Sequence, residues 1–314
     1  MISFRYHVVS IVSVLLAVAV GVVLGGGPLR TEVNDALVEE VASDGRPTGD
    51  LEIELSDLQR RSAFTDRFAA KAAPGLVGGT LRGNVVTLVL LPTARPSDVT
   101  ALRGMVKVAG GSVGGVARVG RDLVDAGEKQ LVDELASQLE GRAPNLRIPA
   151  DASTYERVGA LVGRAIAVST PGGAPTDGAA ASILAGLDSA GLVSTEGTLG
   201  RRGDLVLLLS GPAEGSEQEQ QGAGVILGSL VRSVDAQSRG VVLAGPVGSA
   251  RRGGPVAAVR ADPATARAVS TVDVLGSVAG AVVTVMALDR QSAGRTGHFG
   301  ATGAADGAMP GAAR

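Results

Sequence analysis

DLVLLLSGP (residues 204–212) and its counterpart NVVTLVLLP (residues 84–92) are the stretches whose reading decides the fold. Each is a short, nearly unbroken apolar run closed by a proline. A strand with one wet face alternates apolar and polar residues, whereas a strand that is apolar throughout is covered on both faces, as happens when helices flank a parallel sheet. The residues after each run fit that reading. The first run leads into a helical pattern over 97–109 and a returning strand SVGGVARVG (112–120); the second leads into a helical pattern over 216–238 and a returning strand GVVLAGP (240–246). Two such βαβ units, with further helices expected at 122–140, 154–168 and 175–190, predict an α/β domain over 80–293. Its sheet should be Rossmann- or flavodoxin-like, mostly parallel, with helices on both faces. The last apolar run, 282–288, is short enough to be a strand or a short helix. An outer-membrane β-barrel is not expected, because barrel strands alternate lipid-facing and lumen-facing residues and these do not.

The first 29 residues read differently. VVSIVSVLLAVAVGVVLGGG (residues 8–27) contains no charged side chain, and its apolar core amounts to about 26 Å of helix, extendable toward the ~30 Å of a bilayer interior. The triplet 17–19 resembles a cleavage site. Cutting there would leave Val20, Val22, Val23 and Leu24 at a new apolar terminus, so the segment reads as a retained transmembrane anchor over 1–29. Arg5 precedes it and Glu32, Asp35, Glu39 and Glu40 come after it, which predicts a cytoplasmic N-terminus with the bulk of the chain extracytoplasmic, in a membrane of the cell envelope. Residues 30–79 predict a helical stalk, with Leu51, Leu55 and Leu58 on one stripe, broken by a turn at 45–49 where two glycines and a proline fall together. Homo-oligomerisation is open to the chain through this stalk or through the Gly21 and Gly25 face of the anchor. The Gly- and Ala-rich residues 294–314 read as a flexible tail.

Composition removes many functions. The absence of cysteine excludes disulfides, thiolate catalysis and Cys-ligated metal centres. A net charge of -2 with four Phe, two Tyr and no Trp leaves neither a basic field nor stacking platforms for nucleic acid.

Catalytic motifs fare no better. Gly110 to Gly114 matches a G-x-S-x-G elbow around Ser112, but the elbow requires a strand before the serine and a helix after it, and here the order is reversed. Gly222, Gly224 and Gly228 fall inside a predicted helix rather than at a strand-to-helix turn, so they do not form a dinucleotide loop, and no phosphate-binding lysine loop is present. The positions left for a ligand are the strand ends at 92–96, 210–212 and 245–249, where doubly wound sheets bind small molecules.

Four stretches in order, MISFRYHVVSIVSVLLAVAVGVVLG (1–25), STVD (270–273), ALDRQ (287–291) and GHFG (297–300), resemble the mycobacterial copper-transport protein family of the actinobacterial envelope. The resemblance implies copper transport, efflux or tolerance at the envelope by a protein that is not an enzyme, with copper as the transported ion rather than a resident cofactor. Two features depart from the family: the interruption of the stalk at 45–49, and Phe299 where the family tends to carry tyrosine. Copper ligands are sparse, and His298 and Met309, with Asp306 nearby, are the metal-ligand candidates in the tail. No tight site is expected there, since ordering a glycine-rich loop costs about 1–2 kcal/mol per residue. The alternative reading is a structural or scaffolding envelope protein whose α/β domain binds a partner or cell-wall component and affects copper indirectly. A third is a degenerate enzyme retaining a strand-end pocket.

Overall fold

The computed structural model describes residues 11–20, 29–143 and 146–311. Contacts divide the chain into two units, Met1–Phe64 and Thr65–Arg314.

The first unit is helical where described, at residues 11–20 and in the early part of α1 (Leu29–Val77). Among the described residues no helix is long and apolar enough to cross a membrane, which overturns the expected N-terminal transmembrane helix. The long helix α1 carries carboxylates and guanidiniums along its sequence. The rest of the expected anchor, 1–10 and 21–28, lies outside the described residues, and so do Gly21 and Gly25. The break expected at 45–49 is also absent, because α1 runs through it. Pro47 deletes one backbone bond, a cost of about 3 kcal/mol that is local to one turn. Leu51, Leu55 and Leu58 are exposed along α1.

The second unit is α/β with a mixed sheet. Its strands are β1 (Val85–Leu90), β2 (Ser112–Val119), β3 (Val193–Thr195), β4 (Leu205–Leu209), β5 (Val241–Ala244), β6 (Ser270–Val272) and β7 (His298–Phe299), in the order β3-β2-β1-β4-β5-β6-β7. All neighbours are parallel except β3, which runs antiparallel to β2. The helices are α2 (Pro96–Val108), α3 (Lys129–Glu140), α4 (Thr154–Ile166), α5 (Gly178–Ser189), α6 (Glu217–Asp235), α7 (Pro255–Ala261), α8 (Pro263–Ala268) and α9 (Val278–Ser292). The region expected as one helix at 122–140 is divided, with a single α-helical turn at Arg121–Val124 and a 3-10 turn at Ala126–Glu128 before α3.

The continuous apolar runs are explained by two cores. Leu205, Leu207 and Leu209 face one core with Ala73 and Val77 of α1, Leu102 of α2 and Val285 of α9. Val206 and Leu208 face the other with Leu161 of α4, Ile183 of α5 and Val231 of α6. Successive side chains point to opposite faces, so a strand buried on both must be apolar at every position. Thr87, fully buried in β1, satisfies its hydroxyl by donating to the Ile166 carbonyl at 2.9 Å and accepting from the Gly203 N–H at 2.9 Å.

Two boundaries differ from the sequence expectation, and one run left open between strand and helix is a helix. The compact unit begins at Thr65, because the end of α1 is buried in the core. The run 282–288 lies within the fifteen-residue helix α9, capped by Ser277, whose side chain accepts from the Gly280 N–H at 2.9 Å. The tail is not free: β7 pairs with β6, and Gly300 and Asp306 donate backbone hydrogen bonds to Gly307 and His298. A glycine-rich segment still orders when a sheet edge satisfies its backbone groups.

Near the end of α6, Asp235 leaves one carboxylate oxygen buried without a partner. Burial raises its pKa to about 6, against a lowering hydrogen bond from the Val241 backbone. A carboxyl whose folded value lies above its unfolded one stabilises the fold when protonated, and that stability is lost as pH rises from about 4 through about 6. Asp235→Asn should therefore raise stability at pH 7 by about 1–3 kcal/mol and flatten the dependence between those values. Urea midpoints from pH 4 to 8 check it; a variant parallel to the wild type at every pH contradicts it.

Candidate functional site

Chain connections leave β1 toward β2 on one side and β4 toward β5 on the other. The carboxyl ends of β1 and β4 are therefore the point where a doubly wound sheet opens a crevice, and a cavity of about 620 Å³ lies there. Its floor is built from residues 91–93 and 212–216, one wall from residues 121–127, and the other from the first turns of α6, with Gly253 and Pro255 also lining it.

The floor loops meet closely. The Leu91 N–H donates to the Leu209 carbonyl at 2.9 Å, and the Gly211 N–H to the Thr93 hydroxyl at 3.0 Å. A Cβ on Gly211 would overlap the Thr93 carbonyl oxygen, so only glycine permits this approach.

The charges are arranged around the opening. Arg121 and Glu214, from opposing segments, pair at 3.2 Å with both side chains exposed. Asp125 accepts from the Gly127 N–H at 2.8 Å. At the start of α6, the Glu219 carboxylate accepts from the Ser216 N–H at 2.6 Å and its hydroxyl at 2.8 Å, while the Ser216 hydroxyl accepts in return from the Glu219 N–H. These bonds hold the Glu219 carboxyl below its ordinary value. The positive end of α6 is thus occupied by a carboxylate of the chain itself. Carboxylates at 125, 214 and 219 face a single guanidinium at 121, amid Leu91, Pro92, Val124, Pro212, Ala223 and Leu227.

Of the strand ends singled out in the sequence, the structure brings 92–93 and 212 together in this crevice. The 245–249 turn packs behind it, with Gly248 against Pro212. The wall at 121–127 escapes sequence reading, because residues distant in the chain assemble it; the S-x-x-E box at 216–219 is a legible signal for the other wall. Ser112 opens β2 and Gly222, Gly224 and Gly228 lie inside α6, which places neither motif at a strand-to-helix turn.

The metal-ligand candidates lie elsewhere. His298 is in β7, half-buried, with Nδ1 3.0 Å from the Thr271 hydroxyl and its backbone N–H donating to Asp306 at 2.8 Å. Burial holds its imidazole below the ordinary value, opposed by the Asp306 charge. Met309 is exposed on the segment beyond β7. Among the described residues no group of three or more His, Asp or Glu is placed to hold a metal ion.

Instead, STVD, ALDRQ and GHFG converge on one buried polar network. Ser270 donates to the Gln291 side chain at 2.5 Å and accepts from the Gly297 N–H at 3.1 Å, and Gln291 donates to the Ala268 carbonyl at 2.7 Å. Arg260 of α7 donates to Thr271 at 2.8 Å, Asp273 at 2.7 Å and the Phe299 carbonyl at 3.1 Å. Asp273 also accepts from the Ala301 N–H at 2.7 Å. Gly300 has a φ of 141°, and a Cβ there would overlap Asp273 Oδ1. Phe299 is buried in the core, where a ring without a hydroxyl needs no polar partner.

Comparison with known proteins adds the family. Over 309 aligned residues the chain is 28% identical to the copper transporter MctB of Mycobacterium tuberculosis (strain ATCC 25618 / H37Rv), covering 96% of each chain. The copper transporter MctB of Mycobacterium leprae (strain TN) is likewise 28% identical over 315 residues, again covering 96% of each. Residues 1–310 match the family described as copper transport outer membrane protein, MctB, a description that points to the cell envelope. With that match running from the first residue through β7 and the strap beyond it, the chain belongs to the MctB copper transport outer membrane protein family.

Proposed function

We propose that the protein works in copper transport at the cell envelope, moving copper outward or keeping it at tolerable levels, and that it is not an enzyme. The observation that carries this reading is the co-linear family match over residues 1–310, supported by relatives named copper transporters. On this reading copper is cargo. The His298 ring is hydrogen-bonded through Nδ1 to Thr271, and Met309 stands exposed; on this reading copper passes without a tight resident site at either. The α/β unit works on the extracytoplasmic side.

The test is cellular copper content in a strain lacking the gene. Copper should accumulate, return to the wild-type level with the full chain, and return equally with His298→Gln/Met309→Leu. Unchanged copper in the deletion strain overturns transport; failure of the double variant alone, with the protein folded and present, overturns the absence of a site in the tail. The second reading, a scaffolding envelope protein that affects copper indirectly, is favoured by the crevice at the β1 and β4 ends, which lies away from the metal-ligand candidates. It requires copper content to change equally when a partner is lost with this chain still present.

A further inference from the structure

We propose that the crevice between the ends of β1 and β4 binds a small amphipathic organic cation, an amine or guanidinium carried on an apolar body. The inference stands on the crevice alone and does not depend on copper transport. The volume of about 620 Å³ falls within the roughly 300–1,000 Å³ of small-molecule sites, and the location is where open α/β sheets bind ligands.

Apart from the antiparallel β3, the strand order β3-β2-β1-β4-β5-β6 follows the one on which phosphate-bearing dinucleotides bind elsewhere. Phosphate does not fit this crevice. Two of the donors at the start of α6, the Ser216 and Glu219 N–H groups, are met within the cap, and an incoming anion would lie beside the carboxylates of Glu219, Glu214 and Asp125. Displacing Glu219 would expose the Ser216 N–H and break the cap.

A cation meets the opposite situation. Asp125 uses only Oδ1 in its turn and Glu219 only Oε2 in its cap. Each therefore has a second oxygen for a positively charged donor. Arg121, the guanidinium on this lining, is neutralised by Glu214. Pro92, Val124, Pro212, Ala223 and Leu227 form the apolar seat for the body of the ligand. The charge balance selects the sign, and the apolar lining supplies the contact area.

The probes are 3-phenylpropylammonium and 3-phenylpropanoate, which share a body and differ in charge, and NAD as the phosphate-bearing arm. Each is titrated into the full-length protein by calorimetry and by ligand-observed NMR. The ammonium should bind at least about tenfold tighter than the carboxylate, weaken as salt rises, and lose about fivefold in affinity in Asp125→Asn, the value of one partly exposed charge pair. Asparagine keeps the oxygen that accepts from Gly127, so this variant retains the turn. Ala223→Phe, which fills the crevice, should abolish binding with the circular dichroism spectrum unchanged; if it fails to fold, Asp125→Asn carries the decision. Equal or tighter binding of phenylpropanoate or NAD overturns the proposal. So does no ammonium binding at millimolar concentration, or ammonium binding that both folded variants leave unchanged.

Discussion

Asp273→Ala lowers the stability of the α/β unit by about 3–5 kcal/mol, because it leaves the Arg260 guanidinium buried without its counter-charge. Asp273 is fully buried, and the Arg260 side chain is 5% exposed. The loss extends beyond the pair. Asp273 accepts from the Ala301 N–H and the Thr302 hydroxyl, so the segment after β7 loses two of its hydrogen bonds to the sheet. Thr302→Val removes one of these bonds and should cost only about 1 kcal/mol. Burial alone would raise the Asp273 carboxyl, but the bonds from Thr302, Ala301 and Arg260 outweigh it and hold it below the ordinary value. A depressed carboxyl stabilises the fold above its unfolded value, and that stability is lost as pH falls through the folded one. The wild type should therefore lose this contribution at acid pH, below about 4, while Asp273→Ala shows no such loss. Urea unfolding across pH 2–7, with limited proteolysis to report release of the strap, checks both parts. A variant within about 1 kcal/mol of wild type, with the strap protected, would refute the assignment of this pair as the lock on β7.

Leu207→Ala is the second large effect, at about 2–5 kcal/mol. Leu207 is fully buried in the middle of β4, with β1 on one side and β5 on the other. Truncation opens a cavity that the strand cannot close, since both of its edges are hydrogen-bonded. Val225→Ala, on the exposed surface of α6, is the control and should stay within about 0.5 kcal/mol. Equal midpoints for the two variants in urea would show that this core does not carry the load assigned to it.

The β1 and β4 runs are legible because their signal is local: a strand covered on both faces tolerates few polar residues, and the chain shows it directly. The βαβ units, the helices at α4, α5 and α6, and the strand-end location of a crevice come from the same pattern. The N-terminal span expected from hydropathy is not supported, since among the described residues no helix is long and apolar enough to cross a membrane. The turn at 45–49 is misjudged because glycine and proline set a cost, and a cost of one backbone bond does not end a long helix.

The tail shows the limit most clearly. GHFG and the glycine-rich residues after it read as disordered because local composition supplies no apolar face. Their order comes from Asp273, Arg260, Thr271 and Ser270, residues of β6, its C-terminal end and α7 that exist as a receptor only once the sheet has formed. The same holds for the crevice. Ser216 and Glu219 are three residues apart and can be read together, but Arg121 and Asp125 join them only through the fold. The amino-acid sequence by itself determined the α/β class, the burial of the strands and the absence of thiol chemistry, because these depend on side-chain type and short-range period. The tertiary structure alone decided the mixed sheet order, the docking of β7 and the sign of charge in the crevice, because these depend on which distant residues a backbone brings within hydrogen-bonding reach.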